Sequence, residues 1–259
     1  CQGGQPRKKQ WKYKKMRSVL TIDLKKMNCR PQDRIRAMGC GPGRHVCAVI
    51  ACPDVMVIGA DRSVKDLYEA REKIAAHEAF GGAVRGKWTL CGADITSIPF
   101  PNASFNHVIC SEVMEHIPDE KKAALELERI LKPGGTLALS VPRELPERIC
   151  WRLSEKYHST AGGHVRIYNK KKIISLFRAT GLSIYSFHYA HGLHSPYWWL
   201  KCLVGPDNEK AWPVALYHRF LVWDIMKKPA ITRMIDYVLT PVIGKSMVFY
   251  FKKPTRNTA

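Results

Sequence analysis

The sequence predicts an α/β protein: a doubly wound, mostly parallel sheet of seven strands, with a helical insertion between the last two. Three observations predict it. Short apolar, β-branched runs alternate with helix-period segments between residues 34 and 189, the pattern of parallel strands covered on both faces. A glycine cluster, Gly39-Cys40-Gly41-Pro42-Gly43, follows the first run and precedes a helical segment. Asp61 and Asp94 close the second and third runs, and sheets of this kind bind ligands at the carboxyl ends of their strands. With 46% of its 259 residues apolar, the chain can bury a core of that size. Ordinary glycine and proline counts, 18 and 16, exclude collagen-like and low-complexity classes.

The elements follow in order. Met16, Leu20, Leu24 and Met27 recur at helical spacing, which predicts a helix over 12–28 behind a basic tail. Residues 34–39 form the first strand, 44–51 a helix and 55–60 a buried strand. Ser63 caps a helix running to residue 79. Strands at 88–91 and 105–110 precede a helix at 119–131, which Pro133-Gly134-Gly135 ends before a strand at 136–141. A helix at 145–157 leads to a glycine-containing loop at 161–168. Asn169 caps a helix to residue 180 that Gly181 terminates, and strands at 182–189 and 246–252 complete the sheet. The expected organisation is a basic tail and helix (1–33), a core (34–189), an aromatic and basic insertion (190–244), and a last strand and tail (245–259). Insertions this long are usually functional. This one carries Trp198, Trp199, Trp212 and Trp223, and reads as a lid or a membrane-contact surface.

The net charge is +20, from 42 basic and 22 acidic residues, and it is unevenly placed. Residues 1–36 hold 12 basic and 2 acidic side chains, residues 37–145 hold 12 and 14, and residues 146–259 hold 18 and 6. The flanks therefore carry the excess, which points to an anionic partner, either nucleic acid or acidic lipid head groups. The nine cysteines are odd in number and show no C-x-x-C pair. They read as reduced thiols in a cytoplasmic setting rather than a zinc cluster. No run of 18 apolar residues lacks a charge, so no transmembrane helix is expected, and the basic first residues lack the apolar stretch of a secretory signal.

Gly39, Gly41 and Gly43 let the backbone approach a ligand closely, and the helix behind them presents free N–H groups. A dinucleotide fingerprint would need its third glycine where Arg44 stands. Asp61 lies 18 residues after Gly43, where a carboxylate accepts from the hydroxyls of a ribose. Asp94 shares that edge.

With MGCGPGRH (38–45), VIGAD (57–61), GADITSIPFPNASFNHVICSEVMEHI (92–117) and LERILKPGGTLALSVP (127–142), the chain resembles the class I S-adenosylmethionine-dependent methyltransferases, in particular the small-molecule branch called type 11. The resemblance implies a Rossmann-like methyltransferase sheet with S-adenosylmethionine as cofactor. It implies that Gly39, Cys40, Gly41 and Gly43 cradle the methionine portion, and that Asp61 with Arg62 serves the ribose. Asp94 and Ile95 would border the adenine, and Cys110 and Ser111 would lie beside the transferred methyl. Two positions depart from the pattern: Ala37 replaces the usual first-strand acid, and Asn106-His107 replaces the D-x of F-D-x-V.

Methyl transfer from a sulfonium is an in-line displacement that needs alignment and, for oxygen or nitrogen acceptors, often a base. Glu115, His116 and His164 are the base candidates near the cofactor edge. His188, His191 and His194 are three apart but lack nearby carboxylates or cysteines, so no metal site is expected. The tetrapeptide Cys110-Ser111-Glu112-Val113 differs from the N-P-P-Y type, which argues against methylation of a base amine. In 212–228, Leu216, Phe220 and Trp223 recur at helical spacing among His218, Arg219, Lys227 and Lys228. That helix reads first as a lid and second as a membrane-surface helix. The expected activity is methyl transfer to a small, apolar acceptor such as a quinone, polyketide or lipid-like compound. Peripheral contact with an anionic membrane is the accompanying expectation. An RNA methyltransferase using the basic flanks, and a non-catalytic cofactor-binding relative, are the alternatives.

Overall fold

A computed structural model of the protein describes residues 20–79, 81–159, 162–208 and 210–255. Strand β1 (Arg34–Met38) is buried from its second residue onward, because parallel strands lie on both sides of it. These are β2 (Met56–Asp61) and β4 (Phe105–Ser111). β3 (Lys87–Gly92) forms one edge beside β2, and β5 (Leu131–Pro142) continues the sheet beyond β4. β7 (Ser246–Lys252) inserts antiparallel between β5 and β6 (Ser183–Ala190). The strand order is thus β3-β2-β1-β4-β5-β7-β6. The chain winds outward in both directions from the β1/β4 junction, so the crevice at the carboxyl ends of these two strands is the expected ligand position. Six of the seven residues of β7 are buried, as a central strand demands, whereas no residue of β3 is fully buried.

Helices α1 (Arg44–Val49), α2 (Val64–Ala79), α3 (Glu120–Arg129), α4 (Glu144–Leu153), α5 (Glu155–Ser159) and α6 (Lys170–Arg178) cover the sheet. Three begin at side-chain caps, of which Ser63 and Asn169 are expected from the sequence. Ser63 Oγ accepts from Asp66 N at 3.2 Å, Asp119 Oδ1 from Lys122 N at 3.0 Å, and Asn169 Oδ1 from Lys172 N at 2.9 Å. The insertion is helical as expected and consists of α7 (His194–Val204), α8 (Trp212–Lys227) and α9 (Ala230–Ile243). Among the described residues, no helix is long and apolar enough to cross a membrane.

Three elements differ from the sequence expectation. The described part of the predicted 12–28 helix is only a 3-10 turn, Leu24–Met27, ended by Asn28 at φ 51°; residues 1–19 lie outside the described residues. Tertiary contacts override the helical spacing here: Ile22 and Met27 are buried, and Asp23 N donates to Tyr250 Oη at 2.8 Å. β5 starts at Leu131 rather than 136, because Gly134 takes φ 77° and lets the strand bend without breaking. The predicted 145–157 helix is two helices, broken where Ser154 adopts an extended φ of −153°.

Candidate active site

The loop after β1 uses its glycines for different reasons. A Cβ on Gly39 (φ 61°) would sit 2.2 Å from Val113 Cγ2, so glycine lets the loops after β1 and β4 touch. A Cβ on Gly41 (φ 48°) would meet no atom within 4 Å, which leaves the crown of the loop open to a ligand. Gly43 lies against α2, its would-be Cβ 3.0 Å from that of Ala70. The Cys40 side chain turns inward; burial, then the Asp61 charge, pushes its thiol up to about 12. Cys40 therefore offers a ligand its backbone rather than its sulfur.

Asp61 closes β2 and reaches back to the loop. Its Oδ2 accepts from Gly41 N at 2.8 Å and its Oδ1 from Ser63 N at 3.0 Å. A carboxylate has about four acceptor sites, so two remain for vicinal hydroxyls. Arg62 is exposed and lies 3.7 Å from Asp94 Oδ2. Asp94 Oδ1 accepts from both the amide and the hydroxyl of Thr96 at 2.8 Å, which holds its carboxyl below the usual range. Ile95 is buried under this edge. The open loop crown and the acidic strand ends fit an adenosyl cofactor with a free ribose. Cys110 is wholly buried in the core, and burial raises its thiol. Ser111 Oγ donates to Ser140 Oγ at 2.8 Å, since the single Ser140 hydroxyl proton goes to Glu112 Oε1 at 2.9 Å. Ala37, at the place of the family's usual acid, is enclosed in an apolar cluster with Val46 and Val49.

Glu112 leaves β4 at φ 56°, and the chain then makes a 3-10 turn, Met114–His116. This kink delivers Glu115 and His116 to a cavity of about 390 Å³. The Glu115 side chain is 1% exposed, and neither of its carboxylate oxygens has a hydrogen-bond partner. Burial first, then the Glu112 charge, holds its carboxyl well above the usual range. His116 Nε2 is 3.9 Å from Glu115 Oε1, and the His116 and His164 rings are 4.8 Å apart. The structure thus brings together all three base candidates. It also fixes their tautomers, because the acceptors can only accept. His116 Nδ1 donates to Gly163 O at 3.2 Å, and His164 Nδ1 donates to Glu147 Oε1. Each ring's Nε2 is left as the lone-pair nitrogen of the neutral form. Burial and then the His164 charge keep the His116 imidazole below its ordinary value. Burial alone would raise Glu147, but the His164 hydrogen bond and charge outweigh it and hold the carboxyl low.

Sequence reasoning missed Glu147, whose spacing in α4 marks it as nothing but a helical residue, and also Arg44, Tyr157 and Lys245, which line the same cavity. The histidines at 188, 191 and 194 divide. His188 Nδ1 lies 3.3 Å from Lys26 Nζ, while His191 Nε2 bonds Thr21 Oγ1 at 3.2 Å and, with His194, faces the cavity. The expected lid is corrected in one respect. The helix that covers the cavity is α7, through His194 and Trp198, not α8. α8 packs behind α7 and turns Trp212 and Leu216 outward.

A seven-stranded sheet of this order is that of the class I methyltransferase fold, and here it carries an open glycine loop, a strand-end carboxylate and a cavity beside β4. Residues 37–139 match the protein-family model described as a methyltransferase domain, Methyltransf_11. Over that stretch, less than half of the chain, the protein is similar to the methyltransferase domain family. The 27-O-demethylrifamycin SV methyltransferase of Amycolatopsis mediterranei is 34% identical over 110 residues, 42% of this chain and 39% of that protein. A trans-aconitate 2-methyltransferase of Azoarcus sp. is 31% identical over 111 residues, again 42% and 39%. The chain thus spans well under half the length of these curated relatives. A solved SAM-dependent methyltransferase of Methanosarcina mazei shares the fold with a TM-score of 0.58 at 14% identity, covering 92% of this chain and 100% of that one. The YcgJ protein of Bacillus subtilis does so with a TM-score of 0.57 at 19% identity, covering 89% and 96%.

Proposed function

We propose that the protein transfers the methyl group of S-adenosylmethionine to an oxygen of a small, largely apolar acceptor such as a quinone, polyketide or lipid-like compound. The observation that carries this reading is the cavity holding Glu115, His116 and His164 beside the glycine loop, roofed by Trp198 of α7. The cofactor supplies an electrophilic methyl on sulfur. Gly39, Cys40, Gly41 and Gly43 form its cradle through backbone, Asp61 and Arg62 the ribose edge, and Asp94 and Ile95 the adenine edge. Ser111 anchors the Glu112 carboxylate through Ser140, and Cys110 packs beneath. The cavity is partly closed to water by α7, and the Nε2 atoms of His116 and His164, which carry the lone pair in each neutral imidazole, face a hydroxyl acceptor. Relatives named O-methyltransferases support oxygen as the accepting atom. The eight free cysteines among the described residues suit a cytoplasmic setting. The test is incubation with methyl-labelled cofactor and fractionated cell extract. Label is expected in an apolar, organic-extractable product. Label confined to RNA would replace this reading with an RNA methyltransferase, and cofactor binding without any labelled product would favour a non-catalytic relative.

Peripheral contact with an anionic membrane accompanies this reading because of the outer face of the insertion. Along α9, Ile231, Met234, Tyr237, Val238 and Val242 are all at least 60% exposed. Arg219, Lys227, Lys228 and Arg233 are exposed beside them. This apolar face with a basic margin fits a lipid interface. The protein is expected to co-sediment with anionic vesicles. Part of that binding should survive high salt, since apolar burial contributes about 25 cal/mol per Å² regardless of screening. Met234→Ser with Tyr237→Ser should remove the salt-resistant part. Binding that salt abolishes entirely, or that the double variant leaves unchanged, would count against it.

A further inference from the structure

We propose that Glu115, His116 and His164 form a binding site for a divalent first-row transition-metal ion at the floor of the acceptor cavity, with Glu112 as its acidic neighbour. The donor atoms offered by the three residues all lie within 4.8 Å of one another. Around an ion with bonds of about 2.0–2.2 Å, opposed donors stand roughly 4 Å apart, so small side-chain rotations close the site. Two independent features point the same way. Glu115 is buried with both carboxylate oxygens unpartnered, and a buried carboxyl without a partner is costly unless a cation or proton meets it. Both imidazoles donate Nδ1–H to a fixed acceptor, Gly163 O and Glu147, and so present Nε2 lone pairs. That is the outer-shell arrangement that orients metal-bound histidines.

Two imidazole nitrogens and carboxylate oxygens favour Mn²⁺, Fe²⁺, Co²⁺ or Zn²⁺ over Mg²⁺ or Ca²⁺, which prefer all-oxygen shells. The ion's role rests on the methyl-transfer reading: it would hold the acceptor's oxygen beside the transferable methyl and lower the basicity demanded of any side chain. Its binding does not depend on that reading, so the two are tested separately.

The experiment titrates Co²⁺ and Mn²⁺ into the metal-stripped full chain, following the visible absorption of Co²⁺ and the heat of Mn²⁺ binding. In parallel, binding of the demethylated cofactor product, S-adenosylhomocysteine, is measured. One saturable ion per chain is expected. Glu115→Gln and His116→Ala should each abolish it, and Glu147→Gln should weaken it by about 10–100-fold, as lost outer-shell partners do. All three should bind the cofactor product like the unsubstituted chain. Should Glu115→Gln fail to fold by circular dichroism, the loop variant His164→Gln serves in its place. Absence of a saturable ion in the unsubstituted chain, or an ion retained undiminished by folded variants, overturns the site. Failure to bind the cofactor product while an ion still binds overturns the methyl-transfer reading alone.

Discussion

Asp61→Ala is expected to weaken binding of S-adenosylmethionine and of its demethylated product by roughly 10²–10⁴-fold. Hydrogen bonds to an ionised acceptor are worth about 1.5–3 kcal/mol each, and two ribose hydroxyls would be lost; each 1.4 kcal/mol or so is tenfold in affinity. The substitution also releases Gly41 N and Ser63 N, which Asp61 now holds at 2.8 and 3.0 Å. The cradle itself should therefore loosen. Titration calorimetry measures the effect, with NAD as the ligand that should bind neither form. An affinity unchanged by the substitution would remove Asp61 from the site.

Arg36→Met is expected to raise stability, by about 1–4 kcal/mol, the range seen when buried charges give way to apolar side chains of similar size. Arg36 lies in β1 with 0% exposure. Its Nη1 donates to Cys91 Sγ at 3.3 Å, its guanidinium stacks 4.7 Å from the Phe100 ring centroid, and its Nε and Nη2 have no partner. No carboxylate lies within ion-pair distance of it among the described residues. Guanidinium groups in proteins carry a charge. The ring contact, worth about 2 kcal/mol when desolvated, offsets only part of the cost of burying it. Each kcal/mol should move the melting temperature by about 2–4 °C in a chain of this size. A lower melting temperature would show that the stacked guanidinium is stabilising as it stands.

The parts of this fold legible in the sequence are those governed by local rules. The caps at Ser63 and Asn169, and the breaker Gly181, mark their helices because each satisfies or ends a backbone pattern within four residues. The apolar runs mark strands buried on both faces. The same locality exposed the glycine loop and the strand-end acids, since a ligand at the carboxyl edge needs those residue types there. The bend at Gly134 and the break at Ser154 left weaker traces. The segment before Asn28 was misread, because Ile22 and Met27 answer to the sheet and Tyr250 rather than to their own helical spacing.

The sequence by itself determined a doubly wound sheet, a glycine loop and a set of candidate residues on particular loops, because hydrophobic period, turn chemistry and capping act over a few positions. Only the tertiary structure decided how those residues meet. It placed Glu147 of α4 behind His164, left both oxygens of Glu115 unpaired, enclosed Arg36 in the core, and put α7 rather than α8 over the cavity. Each of these joins segments distant along the chain, and the packing that joins them has no period for a sequence to display.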